Sequence, residues 1–333
     1  MIRLLKLGVA VGLIWSLYWY GAAYSLRQGI SGWFQVQQQR GWQADFADIS
    51  TSGYPMRHIT TLTSPALADP SNGTAWRADW LHLDNPAIWP GRQTIQFPPT
   101  AQRLSYFDRT VVLQAKGMTT DLHLAPGIDL QVQRLALNSG PWQIDGAAGQ
   151  VAQAQALTVS MVQTDQPETY QFDVVAPEFS PGEFARRSAG SDAALPDSFQ
   201  SLQLDMQVRF DRPWDRRALE DRRPQPVEIN LKLGRAEWGA LSLFATGAVT
   251  VDGNGVPTGR IAFKAENWRD MLAVLQGSGA IPQIALEPTA RILNMLSSIS
   301  GNPNALDVEL TLKNGRVNLG PFPLGPAPFI YLR

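Results

Sequence analysis

The sequence predicts a mainly β protein: one or more antiparallel sheets, curved or folded over, with two or three short helices and an N-terminal transmembrane helix. Three observations predict it. A run of twenty residues without a charge stands near the start, from Leu7 to Leu26. Apolar and polar residues alternate with period two through most of the chain beyond that run. Helical periodicity is confined to a few brief segments.

As a helix the opening run would be about 30 Å long, the thickness of a bilayer's hydrocarbon core. Arg3 and Lys6 precede it, and Trp15, Tyr18, Trp19, Tyr20 and Tyr24 load its distal half. Basic residues favour the cytoplasmic side and aromatic rings the membrane–water boundary. The expectation is a single-pass inner-membrane protein with the bulk of the chain in the periplasm. The alternative is a cleaved signal peptide and a soluble periplasmic body, because Gly21-Ala22-Ala23 offers small residues for cleavage. Bulky Tyr20 and the length of the run favour retention.

Residues 1–30 thus read as an anchor, 31–180 as a first β-rich half and 199–333 as a second, either separate or one continuous domain. Between the halves, Pro177 to Ser198 is rich in Pro, Ser, Ala and Gly and reads as a linker. Leu130 and Val132 alternate with Asp129, Gln131 and Gln133. Leu202, Leu204, Met206, Val208 and Phe210 alternate with polar residues, as do Val227, Ile229, Leu231 and Leu233, then Leu306, Val308, Leu310 and Leu312. Each stretch gives a strand one apolar and one wet face. Asp252-Gly253-Asn254-Gly255 joins two such runs as a hairpin turn. Asn267 caps a helix ending at Gly277, and a second runs from Pro288 to Ser300 with Ile292, Leu293, Met295, Leu296 and Ile299 on its apolar side. A third, short one is placed near Glu183–Arg187. No internal repeat stands out.

So many one-faced strands create more apolar surface than short helices can cover. The sheet must fold over itself, close into a barrel-like form, or leave a groove; the outcome is either a filled core or an open apolar face. In the groove case Leu231, Leu310 and Leu312 line the apolar ligand face, and Leu296 belongs to a helix serving as lid.

Chemistry is sparse. With 28 Lys+Arg against 29 Asp+Glu the net charge is −1, which leaves no basic excess to follow a phosphate backbone, so nucleic acid is not an expected partner. The absence of cysteine excludes disulfides and thiolate chemistry. His58, His82 and His123 lack metal-ligand spacing and read as structural. No catalytic residue, metal site or cofactor is expected. Six arginines, Arg209, Arg212, Arg216, Arg217, Arg222 and Arg223, crowd one loop with four carboxylates interleaved. Arg212, Arg216 and Arg217 are candidates for lipid headgroups or an acidic partner, although a self-paired, solvated loop is the simpler expectation. Trp33, Trp42, Trp76, Trp80 and Trp89 either pack in the sheet or dock the body on the bilayer.

Gly53-Tyr54-Pro55, Trp76-Arg77-Ala78, Asn85-Pro86 and the stretch from Ile95 to Pro98 resemble an exported bacterial family, domain of unknown function 2125. Asp252-Gly253, Gly259, Asn267-Trp268 and Met271-Leu272 are similar to it too, as is the ending from Lys313 to Pro328. The resemblance covers nearly the whole chain after the anchor and brings no catalytic residue, cofactor or substrate. The ending alone is also similar to envelope proteins of the AsmA type, a likeness that implies a lipid-handling β-groove. The expected function is therefore non-enzymatic: binding or shielding a lipid or other apolar ligand in a curved sheet. The alternative is a periplasmic structural or adaptor protein with a filled core that recruits another envelope protein.

Overall fold

A helix of 38 residues, α1 (Ile2–Gln39), opens the chain in the computed structural model, which describes residues 1–89, 91–182, 195–277, 291, 293–295, 297 and 304–332. It is the one described helix long and apolar enough to cross a membrane. Residues 1–14 are exposed on every side. From Trp15 onward one stripe turns towards the body: Trp15, Trp19, Ala23, Ile30, Phe34 and Gln37. Steps of three, four or seven residues keep these side chains on one face. That stripe carries the helix well past Leu26, because the sequence there changes from uniformly apolar to amphipathic.

The body winds between two sheets, and all its strand pairs are antiparallel. β1 (Gln43–Asp45) begins the small sheet, and β2 (Asp48–Ser52) with β3 (Arg57–Thr63) begins the large one. Hairpins then alternate. β4 (Ala66–Asp69) and β5 (Thr74–Arg77) return to the small sheet, β6 (Trp80–Pro86) and β7 (Arg92–Gln96) to the large. β8 (Gln102–Tyr106) and β9 (Arg109–Ala115) follow in the small, β10 (Thr119–Leu124) and β11 (Val132–Ser139) in the large. β12 (Trp142–Gly146) and β13 (Gly149–Ala154) are small-sheet strands, and β14 (Leu157–Gln163) and β15 (Thr169–Val175) large-sheet ones. β16 (Ser180–Pro181) closes the small sheet at eight strands.

From there the chain meanders in the large sheet alone. β17 (Ser201–Phe210) pairs with β15 and is followed by α2 (Arg217–Glu220), β18 (Pro226–Trp238), β19 (Leu241–Val251) and β20 (Pro257–Glu266). After α3 (Trp268–Gly277) come β21 (Ala305–Lys313), β22 (Arg316–Leu319) and β23 (Phe322–Pro326), completing fifteen strands. The ladder between Thr169–Val175 and 203–209 runs across the segment that reads as a linker in the sequence.

Near α1 the sheets close on each other: Ala44 and Leu67 of the small sheet meet Leu62, Leu81 and Leu83 of the large, with Phe34 of the helix between them. At the other end α3 covers the large sheet, Trp268 and Met271 packing with Ala265, Leu306 and Leu293. Ala327 and Ile330 of the C-terminal segment pack on Val249, Val251 and Leu312.

Several expectations need correction. Leu130 is no strand residue: its φ of 51° and exposure place it in the β10–β11 turn, and the strand starts at Val132. Leu233 leaves the line of Val227, Ile229 and Leu231, since a bulge between Leu231 and Gly234 sets it opposite Asp205. Asn267 does stand directly before the helix ending at Gly277, and its carbonyl accepts from the Asp270 and Met271 amides, but its φ is 56° and its side-chain amide donates to the Ala240 carbonyl. β17 is half-buried along both faces up to Gln207 rather than wet on one. The short helix expected near Glu183–Arg187 and most of the one from Pro288 to Ser300, Leu296 included, lie outside the described residues.

Candidate functional site

Register turns the alternating residues into continuous apolar rows. One passes through Leu122, Leu135, Met161, Phe172, Met206, Leu231, Gly247, Ile261 and Leu310, each opposite the next. A second runs from Leu137 through Val159, Val174, Leu204, Gly234, Ala245 and Phe263 to Val308. A one-residue slip anywhere would turn a strand's apolar set outward, so the rows themselves fix the register.

Among the described residues the small sheet offers no strand beyond β16 to face these rows. There the second row narrows to Gly234 and Ala245, with Ala236 alongside. These small residues, between Val174, Leu202, Leu204 and Leu243, shape an almost wholly apolar cleft of about 250 Å³. Of the expected ligand face, Leu231 and Leu310 are half-buried in the first row. Leu312 is buried in the cluster under Ala327, and Leu296 is outside the described residues. Gly234, Ala236 and Ala245 escape a reading of the sequence, because small residues at alternate positions mean nothing until pairing sets them side by side.

At its start the first row turns polar and meets the helix. Gln93 stands opposite Leu122 and donates to the Asn85 side-chain oxygen at 3.4 Å, and Asn85 stands opposite His58. His58 is buried, stacks on Trp19 with ring centroids 4.8 Å apart and donates from Nε2 to the Trp19 carbonyl at 3.1 Å. Trp19 Nε1 donates to the Arg57 carbonyl at 2.9 Å, Trp15 Nε1 to the Pro55 carbonyl at 3.1 Å and the Tyr18 hydroxyl to the Ala87 carbonyl at 2.7 Å. The hydroxyls of Ser16 and Tyr54 share a hydrogen bond of 2.8 Å. Gly53-Tyr54-Pro55 and Asn85-Pro86 therefore build the junction between helix and body. Gly53 fits because its φ is 97° and a Cβ there would come within 2.9 Å of the Arg57 carbonyl oxygen.

The arginine loop pairs within itself and with neighbouring strands. Arg212 meets Asp221 at 3.3 Å, Arg216 meets Glu220 at 3.6 Å and Arg222 meets Asp211 at 2.7 Å. Arg209 reaches Glu228 on β18 at 3.0 Å. Arg217 Nε donates at 2.9 Å to the carboxylate of Asp215, whose side chain is only 1% exposed. Those hydrogen bonds hold the Asp215 carboxyl below its ordinary range. Tyr170, fully buried, accepts the Trp214 N–H at 3.0 Å, and desolvation pushes its phenol upward. The Glu220 carbonyl also accepts from Arg40, which closes α1. Arg40 is fourteen residues beyond Leu26, about 21 Å of helix, so the loop adjoins the end of α1 distal to its apolar segment.

His58, His82 and His123 all lie on strands. Among the described residues no group of three or more His, Asp or Glu is placed to hold a metal ion. No curated protein matches the chain. A family model described as an uncharacterized protein conserved in bacteria, DUF2125, matches residues 19–328, and with that span matched the chain belongs to this family.

Proposed function

We propose that the protein is a non-enzymatic component of the bacterial envelope, retained in the inner membrane by α1 with its body in the periplasm, and that it shelters an acyl chain or similar apolar ligand on the inner face of its large sheet. One observation carries this reading: the apolar rows continue past the last small-sheet strand, and where the cover ends they hold the cleft at Gly234, Ala236 and Ala245. Apolar surface left open in that way costs free energy in water and gains it when a hydrocarbon fills it. Retention of α1 is supported by Ala23, which is 3% exposed in an unbroken helix where cleavage would have to occur.

The competing reading is an adaptor with a filled interior, favoured locally by the packed cluster around Leu312. The full chain, purified and extracted with organic solvent, separates the two. Ala245→Trp would fill the cleft and is expected to lower co-purifying lipid while the melting temperature holds. A wild-type protein free of lipid, with Ala245→Trp costing the roughly 1–3 kcal/mol of an overpacked core, would overturn the ligand reading in favour of the adaptor.

A further inference from the structure

We infer that the tips of the β2–β3 and β6–β7 hairpins enter the bilayer beside α1, so that the body rides in the lipid surface rather than above it. The inference rests on the reading of α1 as a retained membrane span. Only residues 1–14 of α1 are free of the body. As helix they measure about 21 Å, against a hydrocarbon core of about 30 Å. The remaining 9 Å or so, about six residues at 1.5 Å each, must come from the helix beyond residue 14. Trp15, Ser16, Tyr18 and Trp19 are bonded there to Pro55, Tyr54, Ala87 and Arg57. Whatever depth those helix residues reach, the hairpin tips reach too. Placing the hydrocarbon core after Lys6 only drives the tips deeper.

The tips have the surface such a position demands. Met56 is 68% exposed, Ile88 71%, Tyr54 49% and Trp89 41%, beside Tyr20 and Tyr24 on the helix. In water these side chains would form an unexplained apolar patch; at a membrane boundary, aromatic and aliphatic tips are stable. The first residues of β3 and β7, directly behind the tips, are Arg57, whose guanidinium is paired with Asp84 at 2.6 Å, and Arg92, which is exposed at the level where guanidinium groups meet lipid phosphates.

The chain has no cysteine, so single nitroxide labels can be placed without background. Leu13→Cys, Met56→Cys, Ile88→Cys and Phe107→Cys, each in the full chain in phosphatidylethanolamine–phosphatidylglycerol vesicles, would be compared for collision with oxygen and with a water-soluble nickel chelate. Label mobility and circular dichroism would confirm that each variant folds. The expected order of the oxygen-to-nickel ratio is Leu13 highest, Met56 and Ile88 intermediate, and Phe107, in the β8–β9 turn of the small sheet, at the value of water. Met56 and Ile88 matching Phe107 while Leu13 stays high would overturn the inference and leave the span intact. Protection of both tips from both reagents, which means a protein cover, would also overturn it. A water-like value at Leu13 would instead remove the span reading itself.

Discussion

The carboxylate of Asp215 is buried where the arginine loop folds back on β17, and it is tolerable there because Arg217 donates to it from both side chain and backbone. An unpaired buried charge would be far more costly. Since the folded-state pKa lies below the ordinary carboxylate value, the group contributes stability above its unfolded pKa of about 3.9. That contribution is lost as pH falls through the lower, folded value. The stability difference between wild type and Asp215→Asn is therefore expected to be full near neutrality and to shrink as pH falls from about 5 towards 2, followed by denaturant titration at each pH. A difference constant over that range would mean that Asp215 is not held as an anion. The same pairing explains why the loop, conspicuous in sequence as six arginines, presents little free charge: the guanidinium groups of Arg209, Arg212, Arg216, Arg217 and Arg222 have carboxylates within reach, which composition suggested and distances specify.

At the scale of elements, β18 offers the cleanest test of register. Ile229 packs into two clusters at once, one around Tyr170 and Phe210, the other around Val249 and Leu312, whereas its neighbour Asn230 is exposed. Ile229→Asp is expected to lower stability by more than about 3 kcal/mol and Asn230→Asp by less than about 0.5, read as shifts in urea midpoint; equal shifts would refute the assigned face. Strands such as β17, β18 and β21 were legible because they are long, and alternation over nine or more residues has few rivals. The small sheet was not. Its strands run from two to seven residues, too short for period two to stand out. The winding of hairpins between two sheets was also invisible. It is a repeat of topology, with β3 pairing β6, β7 pairing β10 and β11 pairing β14, and any apolar residue at alternate positions satisfies it, so no recurring motif marks it. The cleft shares that fate, since Gly234 and Ala245 become neighbours only through pairing.

Taken whole, the molecule exposes 19,523 Å², where a compact chain of 36.6 kDa would expose about 13,500 Å². Among the described residues, buried apolar side chains gather in five small clusters instead of one core, and others, Trp238 and Leu241 among them, are buried outside these clusters. Stability must then pass from strand to neighbouring strand, as it does in arrays whose units touch only the next. The strand ladder between β15 and β17 is the place where such a molecule would divide, because the winding part ends there and the meander begins. Yet a buried cluster lies across this junction. Met161, Tyr170, Val208 and Phe210, from β14, β15 and β17, form one cluster that also takes in Leu135 and Ile229. Phe210 touches three other rings, Tyr170, Phe172 and Trp214, with centroids 5.6–6.3 Å apart. The cluster is expected to bind both parts into a single cooperative unit, so that calorimetry of the full chain gives one transition. Phe210→Ala removes the central ring at a cost of about 3–5 kcal/mol and should split that transition in two, because the ladder alone transmits less than ladder and cluster together. Two transitions already present in the wild type would show that the halves fold independently and that the cluster couples nothing.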